Sequence, residues 1–204
     1  MLALLLFSAG TVAYWEAWAC MMIYFFGGAL IMVYLWAYDV ALLERRLRKK
    51  EKDAKQCFIR KVGRLVTLPV YIVPGLDHRF GWSHVPMVAV VVADVVFLLA
   101  HAWVLLVFRT NSYASRVIEV DASQQLISTG PYAIVRHPMY LGLVVANLSI
   151  PLALGSWWAV MTLPPLIGIL IARALNEERL LVKELEGYRD YTQVTKYRLI
   201  PGVW

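Results

Sequence analysis

Apolar residues run through this chain in long blocks, with polar residues gathered between them. The blocks fall at about 1–13, 17–38, 65–73, 85–108, 138–154 and 157–172. Crossing the hydrocarbon core of a bilayer, roughly 30 Å thick, takes about 20 apolar helical residues. The second and fourth blocks meet that length. The first and third are short, so each is either a tilted span lengthened by its flanks or a helix that enters only partway. Lipid offers the backbone no hydrogen-bond partners, which favours helices. The pattern therefore predicts an all-α, polytopic membrane helix bundle of five to six transmembrane helices. It forms a single membrane domain over 1–204, with N-terminal spans in 1–110 and a second part in 111–204.

Composition agrees with this. Sixty per cent of the 204 residues are hydrophobic and the mean hydropathy is +0.61, against roughly 45–50% apolar usage in soluble domains. Charge then orients the bundle. Ten of the 20 Lys and Arg residues lie in "ERRLRKKEKDAKQCFIRKVGR", residues 44–64, and a basic loop of this kind stays cytoplasmic. It is a topological marker that can also touch anionic headgroups; with few aromatics and a membrane tether, it does not read as a nucleic-acid site. With this loop inside, six crossings put both termini and 19 of the 20 cations on the cytoplasmic side, leaving Arg79 outside. The expected location is a bacterial inner (plasma) membrane. The run "MLALLLFSAG" has no positive flank before it and reads as a retained span rather than a removable signal.

Tyr14, Trp15, Trp18, Trp82, Trp157, Trp158 and Trp204 sit where blocks end, as an interfacial aromatic belt does. Asp94 and His101 share a face of the fourth block. Asp94 is either solvated near a helix end or turned to the protein interior, and His101 reads as a hydrogen-bonded packing residue. Cys20 and Cys57, at different depths, are expected to be free thiols. No metal is expected.

Two polar clusters carry chemistry. In "GPYAIVRHPMYLG", residues 130–142, Pro138 suits the first turn of a helix. The free N–H groups there, with Arg136 and His137, attract an anion. Gly142 allows close approach of a backbone or a neighbouring helix. In "RALNEERLL", Arg173 and Glu177 are four apart on one helix face, with Glu178 turned about 100° away. A hairpin of the last two blocks, turning at "LGSW", brings Arg136, His137 and Tyr140 beside Arg173 and Glu177. The tail continues the last span as a cytoplasmic amphipathic helix ended by Gly187, a residue that tolerates positive φ.

"GPYAIVRHPMYLG", "LGSW" and "NEERLL…GYRDYTQVTKYRLIPG" together resemble the isoprenylcysteine carboxyl methyltransferase family of integral membrane methyltransferases, closely from about Ser128 to Trp204. "ALLERRL" and "GLDHRFGWS" look like its bacterial members. The resemblance implies S-adenosyl-L-methionine as methyl donor. By that likeness the cofactor-binding residues would be Gln124, Gln125, Leu126, Ile127, Tyr132, His137, Pro138, Met139, Tyr140 and Glu177. Arg173 would face the substrate, and Arg173 with Glu178 would be the catalytic pair. The implied partners are membrane lipids and a lipophilic small-molecule or lipid acceptor, a carboxylate among the candidates.

Two alternatives stay open. An NADPH-dependent membrane reductase of the sterol reductase type shares "RHP" and "RLIPG", but it usually shows asparagine where Met139 stands. A non-catalytic membrane protein would use the clusters only for topology.

Overall fold

A computed structural model describes residues 1–47, 54–115, 120 and 124–204. The heart of the basic loop, 48–53, and the side chain of Cys57 lie outside the described residues. Among the described residues all regular secondary structure is helical, without strands.

Helix α1 (Leu2–Ala9) ends at Gly10, whose φ of 67° closes it in the left-handed region. At 8 residues it rises only about 12 Å, so the first apolar block does not form a full-length span within the described chain. Helix α2 (Trp15–Tyr38) has 24 residues, about 36 Å. Asp39 then caps the short α3 (Val40–Leu47), its Oδ1 accepting from the Leu42 N–H at 2.9 Å.

Helix α4 (Ala54–Phe80) is longer than its apolar block predicts, 27 residues. Lysine, arginine and glutamine are good helix formers, so the helix starts well before the apolar stretch. Helix α5 (Met87–Thr110) follows, then the four-residue α6 (Pro131–Ile134) and α7 (Pro138–Ala153). After a 3-10 turn (Trp158–Thr162) come α8 (Leu163–Glu184) and α9 (Tyr188–Val194). The tail departs slightly from expectation: α8 stops at Glu184, and Gly187, at φ 75°, opens α9 rather than closing α8.

Among the described residues three helices are long and apolar enough to cross a membrane: Trp15–Tyr38, Met87–Thr110 and the continuous run Trp158–Glu184. Their outward side chains are exposed and apolar, among them Phe25, Leu30, Trp36, Val88, Leu99 and Met161. A water-facing surface would not be built so; lipid makes it favourable.

Helices α5 and α7 form the most extensive pair. Gly142 makes this possible, because a Cβ there would lie 2.8 Å from Val104 Cγ2 and 2.9 Å from Trp103 Cδ1. Its role is thus helix packing. The pairing of α1 with α4 depends in the same way on Gly75, where a Cβ would meet Ser8 Oγ and the backbone of Leu5 and Ala9. His101 packs over Gly27, and its Nδ1 lies 2.9 Å from the Phe97 carbonyl, as a packing residue should. Asp94 is half-buried on α5, with Oδ1 unpartnered among the described residues. Cys20 is buried and free.

At the end of the bundle away from the basic loop, the turn after α4 is fastened to the turn between α7 and α8. Asp77 is fully buried and accepts from the Ser83 N–H at 2.7 Å, the Ser83 hydroxyl at 2.6 Å and the Ser156 hydroxyl at 2.5 Å. Tyr14 belongs to this knot rather than to the interfacial belt. It is buried, stacks on His78 at 4.0 Å and donates to the Leu154 carbonyl. Trp15, Trp18, Trp82, Trp157 and Trp158 are exposed, as a belt requires.

Candidate active site

The α6–α7 turn, the end of α5 and the tail converge at the other end of the bundle. Pro138 stands in the first turn of α7 and has no N–H to lose. The N–H groups of Met139 and Tyr140 follow it with no acceptor inside the helix.

Helix α7 runs back along α8, and this brings the two polar clusters together. Tyr140 donates to Glu177 Oε2 at 2.8 Å. Tyr140, Ala174 and Leu199 form a small apolar cluster beneath, covered in part by Leu170, Ile171 and Trp204. The tail is sewn to the α6–α7 turn by main-chain bonds, Arg136 N–H to the Tyr197 carbonyl at 2.9 Å and His137 N–H to the Arg198 carbonyl at 3.0 Å. Tyr191 adds a bond from its hydroxyl to the Tyr132 carbonyl at 2.7 Å.

Two neighbouring cavities result. The first is a narrow cleft lined by polar and apolar groups alike, with about 770 Å³ of empty space including its open mouth. All ten residues expected to bind a cofactor line it: Gln124, Gln125, Leu126, Ile127, Tyr132, His137, Pro138, Met139, Tyr140 and Glu177. The second cavity is larger, about 1600 Å³ with its opening, and mostly apolar. Leu68, Leu143, Leu166 and Ile169 line it, and Arg64 and Arg173 reach it. Met139, Tyr140 and Glu177 belong to both. The expected substrate-facing Arg173 and the expected cofactor-facing Glu177 therefore flank one partition.

Glu178 does not join them. It lies outside the lining of both cavities and is only 7% exposed. Its carboxylate accepts from Arg136 Nη1 and from Arg198 Nε, and His137 Nε2 stands 3.7 Å away. The 100° step that turns Glu177 to the cleft turns Glu178 to the tail, away from the cavity walls where the expected catalytic pair would place it. Arg136 is also engaged differently from the sequence expectation. Its guanidinium holds Glu178 and the carbonyls of Thr192, Thr195 and Lys196, so it is a clamp on the tail rather than a free anion receptor.

The cleft keeps its phenols neutral. Burial raises the pKa values of Tyr132 and Tyr188 well above the ordinary tyrosine range, and pushes that of Tyr191 up to about 12. Each stays a hydrogen-bond donor at physiological pH. Tyr132 is also held from outside, its hydroxyl accepting from Asn111 Nδ2 at 2.8 Å. Two buried polar atoms in the cleft lining have no hydrogen-bond partner among the described residues, His137 Nε2 and the Tyr188 hydroxyl. No group of three or more potential metal ligands occurs among the described residues.

The part played by Arg45 and Arg46 has no signature in the sequence. Both cross from α3 to the segment after α5, to the Ser112 and Ala114 carbonyls at 2.9 Å each. Their place in a strongly basic run hid them, since such a run reads first as topology.

Residues 88–186 match the phospholipid methyltransferase family, a span that contains most of the site just described. Among curated proteins none matches the chain. The family match favours methyl transfer over the NADPH-reductase alternative. Apolar helices, the clasped α7–α8 pair and this match agree with the resemblance carried by the sequence motifs: over 88–186 the chain is similar to the phospholipid methyltransferases, themselves part of the isoprenylcysteine carboxyl methyltransferase-like family of membrane methyltransferases.

Proposed function

We propose that the chain is an S-adenosylmethionine-dependent methyltransferase that works at the cytoplasmic face of a plasma membrane on a lipophilic acceptor. The observation that carries this reading is the shared partition. Met139, Tyr140 and Glu177 wall both the narrow cleft and the apolar cavity, so a polar donor on one side and a greasy acceptor on the other would meet there.

The residues of the cleft fit the donor. Glu177 offers a carboxylate to an ammonium group, and the first turn of α7 offers N–H groups and a positive dipole end to a carboxylate. The unpartnered Tyr188 hydroxyl has hydrogen-bonding capacity in hand, which a buried site does not leave idle without reason. Leu126, Ile127, Leu180 and Leu181 give apolar walls for a purine. When bound, the donor supplies a methyl group on a sulfonium sulfur.

The chain's own task is binding, alignment and exclusion of water, which can lower a barrier by several kcal/mol through orientation alone. Tyr140 fixes the Glu177 carboxylate by its 2.8 Å bond. Arg173, at the apolar cavity, suits an anionic group on the acceptor and would orient a carboxylate by two parallel bonds. An isoprenoid, a lipid amine or a hydrophobic acid would enter that cavity from the bilayer.

For topology we place α2, α4, α5, α7 and α8 across the membrane, with α1 reaching partway against α4. The basic segment, α3, α6 and α9 then face the cytoplasm, where 19 of 20 Lys and Arg residues gather.

Purified protein in detergent is expected to melt at a higher temperature with S-adenosylhomocysteine, and Glu177→Ala to abolish that shift. A wild-type protein with no shift at millimolar ligand refutes the donor assignment. Radiolabelled methyl transfer into a membrane lipid extract would then identify the acceptor.

A further inference from the structure

We propose that Arg46, seconded by Arg45, is a positioning residue for the donor cleft, holding the 111–115 segment as the cleft's outer wall. Asn111, Tyr113, Ala114 and Ser115 line that cleft but lie beyond the end of α5. A wall made of irregular backbone needs fastening from outside, and the two arginines supply it. Arg45 donates to the Ser112 carbonyl at 2.9 Å, with its guanidinium 5.0 Å from the centre of the Tyr113 ring. Arg46 donates to the Ala114 carbonyl at 2.9 Å and lies 4.3 Å over the Phe108 ring.

Arg46 reaches further. Its Nη1 is 3.6 Å from Met139 Sδ, and Met139 walls both cavities. One guanidinium therefore contacts the loop on one side of the cleft and the partition on the other. The wall matters for the interior because Asn111 holds the Tyr132 hydroxyl at 2.8 Å. A loop that drifts takes that bond with it.

The chemistry also separates this role from topology. A planar guanidinium can lie flat on a ring while donating in its own plane, which an ammonium cannot do. Charge alone, by contrast, is satisfied equally by lysine. Arg46→Lys keeps the positive charge of the segment and loses the geometry, so it discriminates where a neutral substitution would not.

The inference rests on the donor reading given above, and the experiment separates the two. Full-length protein in detergent is compared as wild type, Arg46→Lys and, as a charge control, Lys61→Gln, an exposed position on α4. Two quantities are measured: amide hydrogen exchange over 111–115 without ligand, and the dissociation constant for S-adenosylhomocysteine. In Arg46→Lys, exchange over 111–115 is expected to quicken at least about fivefold and the dissociation constant to rise about tenfold. Lys61→Gln should change neither. Rescue is expected to be graded, with Arg46→Gln at least as impaired as Arg46→Lys. Unchanged exchange in Arg46→Lys overturns the inference, and so does quickened exchange with unaltered affinity. A wild type that binds no ligand overturns the donor reading and this inference with it, while exchange still reports whether Arg46 holds the loop.

Discussion

Removing the Glu178 carboxylate tests most directly what the tail does. In Glu178→Ala, Arg136 would be left at 11% exposure with its main charge partner gone. Breaking one side of a buried pair costs about 3–5 kcal/mol, chiefly from the stranded charge. The Arg198 arm adds little, because at 36% exposure it resembles a surface pair, and such pairs are worth about 0–1 kcal/mol. Three carbonyls still hold the Arg136 guanidinium, so the lower figure, about 3 kcal/mol, is the reasonable expectation. It corresponds to roughly a hundredfold shift in any equilibrium that frees the tail. Hydrogen exchange over 188–199 and limited proteolysis after α8 would register that shift. Affinity for S-adenosylhomocysteine should fall with it, since Tyr188 and Tyr191 line the cleft. At saturating donor the turnover rate should recover most of its wild-type value. Should Glu178→Ala abolish turnover at saturation while the tail stays fully protected, Glu178 would be acting on the reaction itself, and the structural assignment would be wrong.

Further expectations concern packing and the distal knot. Gly75→Ala gains helix propensity of up to about 1 kcal/mol, yet its new methyl would fall 2.7 Å from the Leu5 carbonyl oxygen and 2.9 Å from the Ala9 nitrogen, backbone atoms that cannot swing aside. A net loss of about 1–3 kcal/mol is expected in thermal unfolding, whereas Gly28→Ala, with nothing within 4 Å, should be neutral or slightly stabilising. A lower melting temperature for Gly28→Ala than for Gly75→Ala contradicts the packing argument. Asp77→Ala leaves the buried Ser156 hydroxyl without its acceptor, at about 1–3 kcal/mol, and frees the part-buried Ser83 hydroxyl and N–H at a smaller cost. Its melting temperature should drop steeply while donor affinity, measured well below that temperature, stays near wild type; a selective loss of affinity would show that the two ends are coupled.

The sequence made the three long apolar helices legible because lipid imposes a simple rule on composition, and Pro138 fixed the start of α7 because few other positions tolerate it. It made the cleft lining legible through motif, and hairpin geometry accounts for why those residues converge. The partition of roles between Glu177 and Glu178 was not legible. Adjacent residues on a helix diverge by 100°, and which of them meets the cleft depends on the path of a tail that returns some twenty residues later. Tyr14 was misplaced for a related reason. Its position at the end of an apolar block matches a belt residue, but its hydroxyl finds Leu154 across 140 residues of sequence. Arg46 looked like one cation among ten, and only the end of α5 coming alongside gives it a separate task.

The Asp77 knot makes the bundle asymmetric in where it can yield. Buttoned at its far rim by three short bonds to one carboxylate, the molecule resembles a clothes-peg whose spring sits opposite its jaws. Any parting of α4 from the α7–α8 pair is widest at the tips beside the cleft and vanishes at the knot, so a guest of the apolar cavity would slip in sideways and deepest where the jaws are loosest.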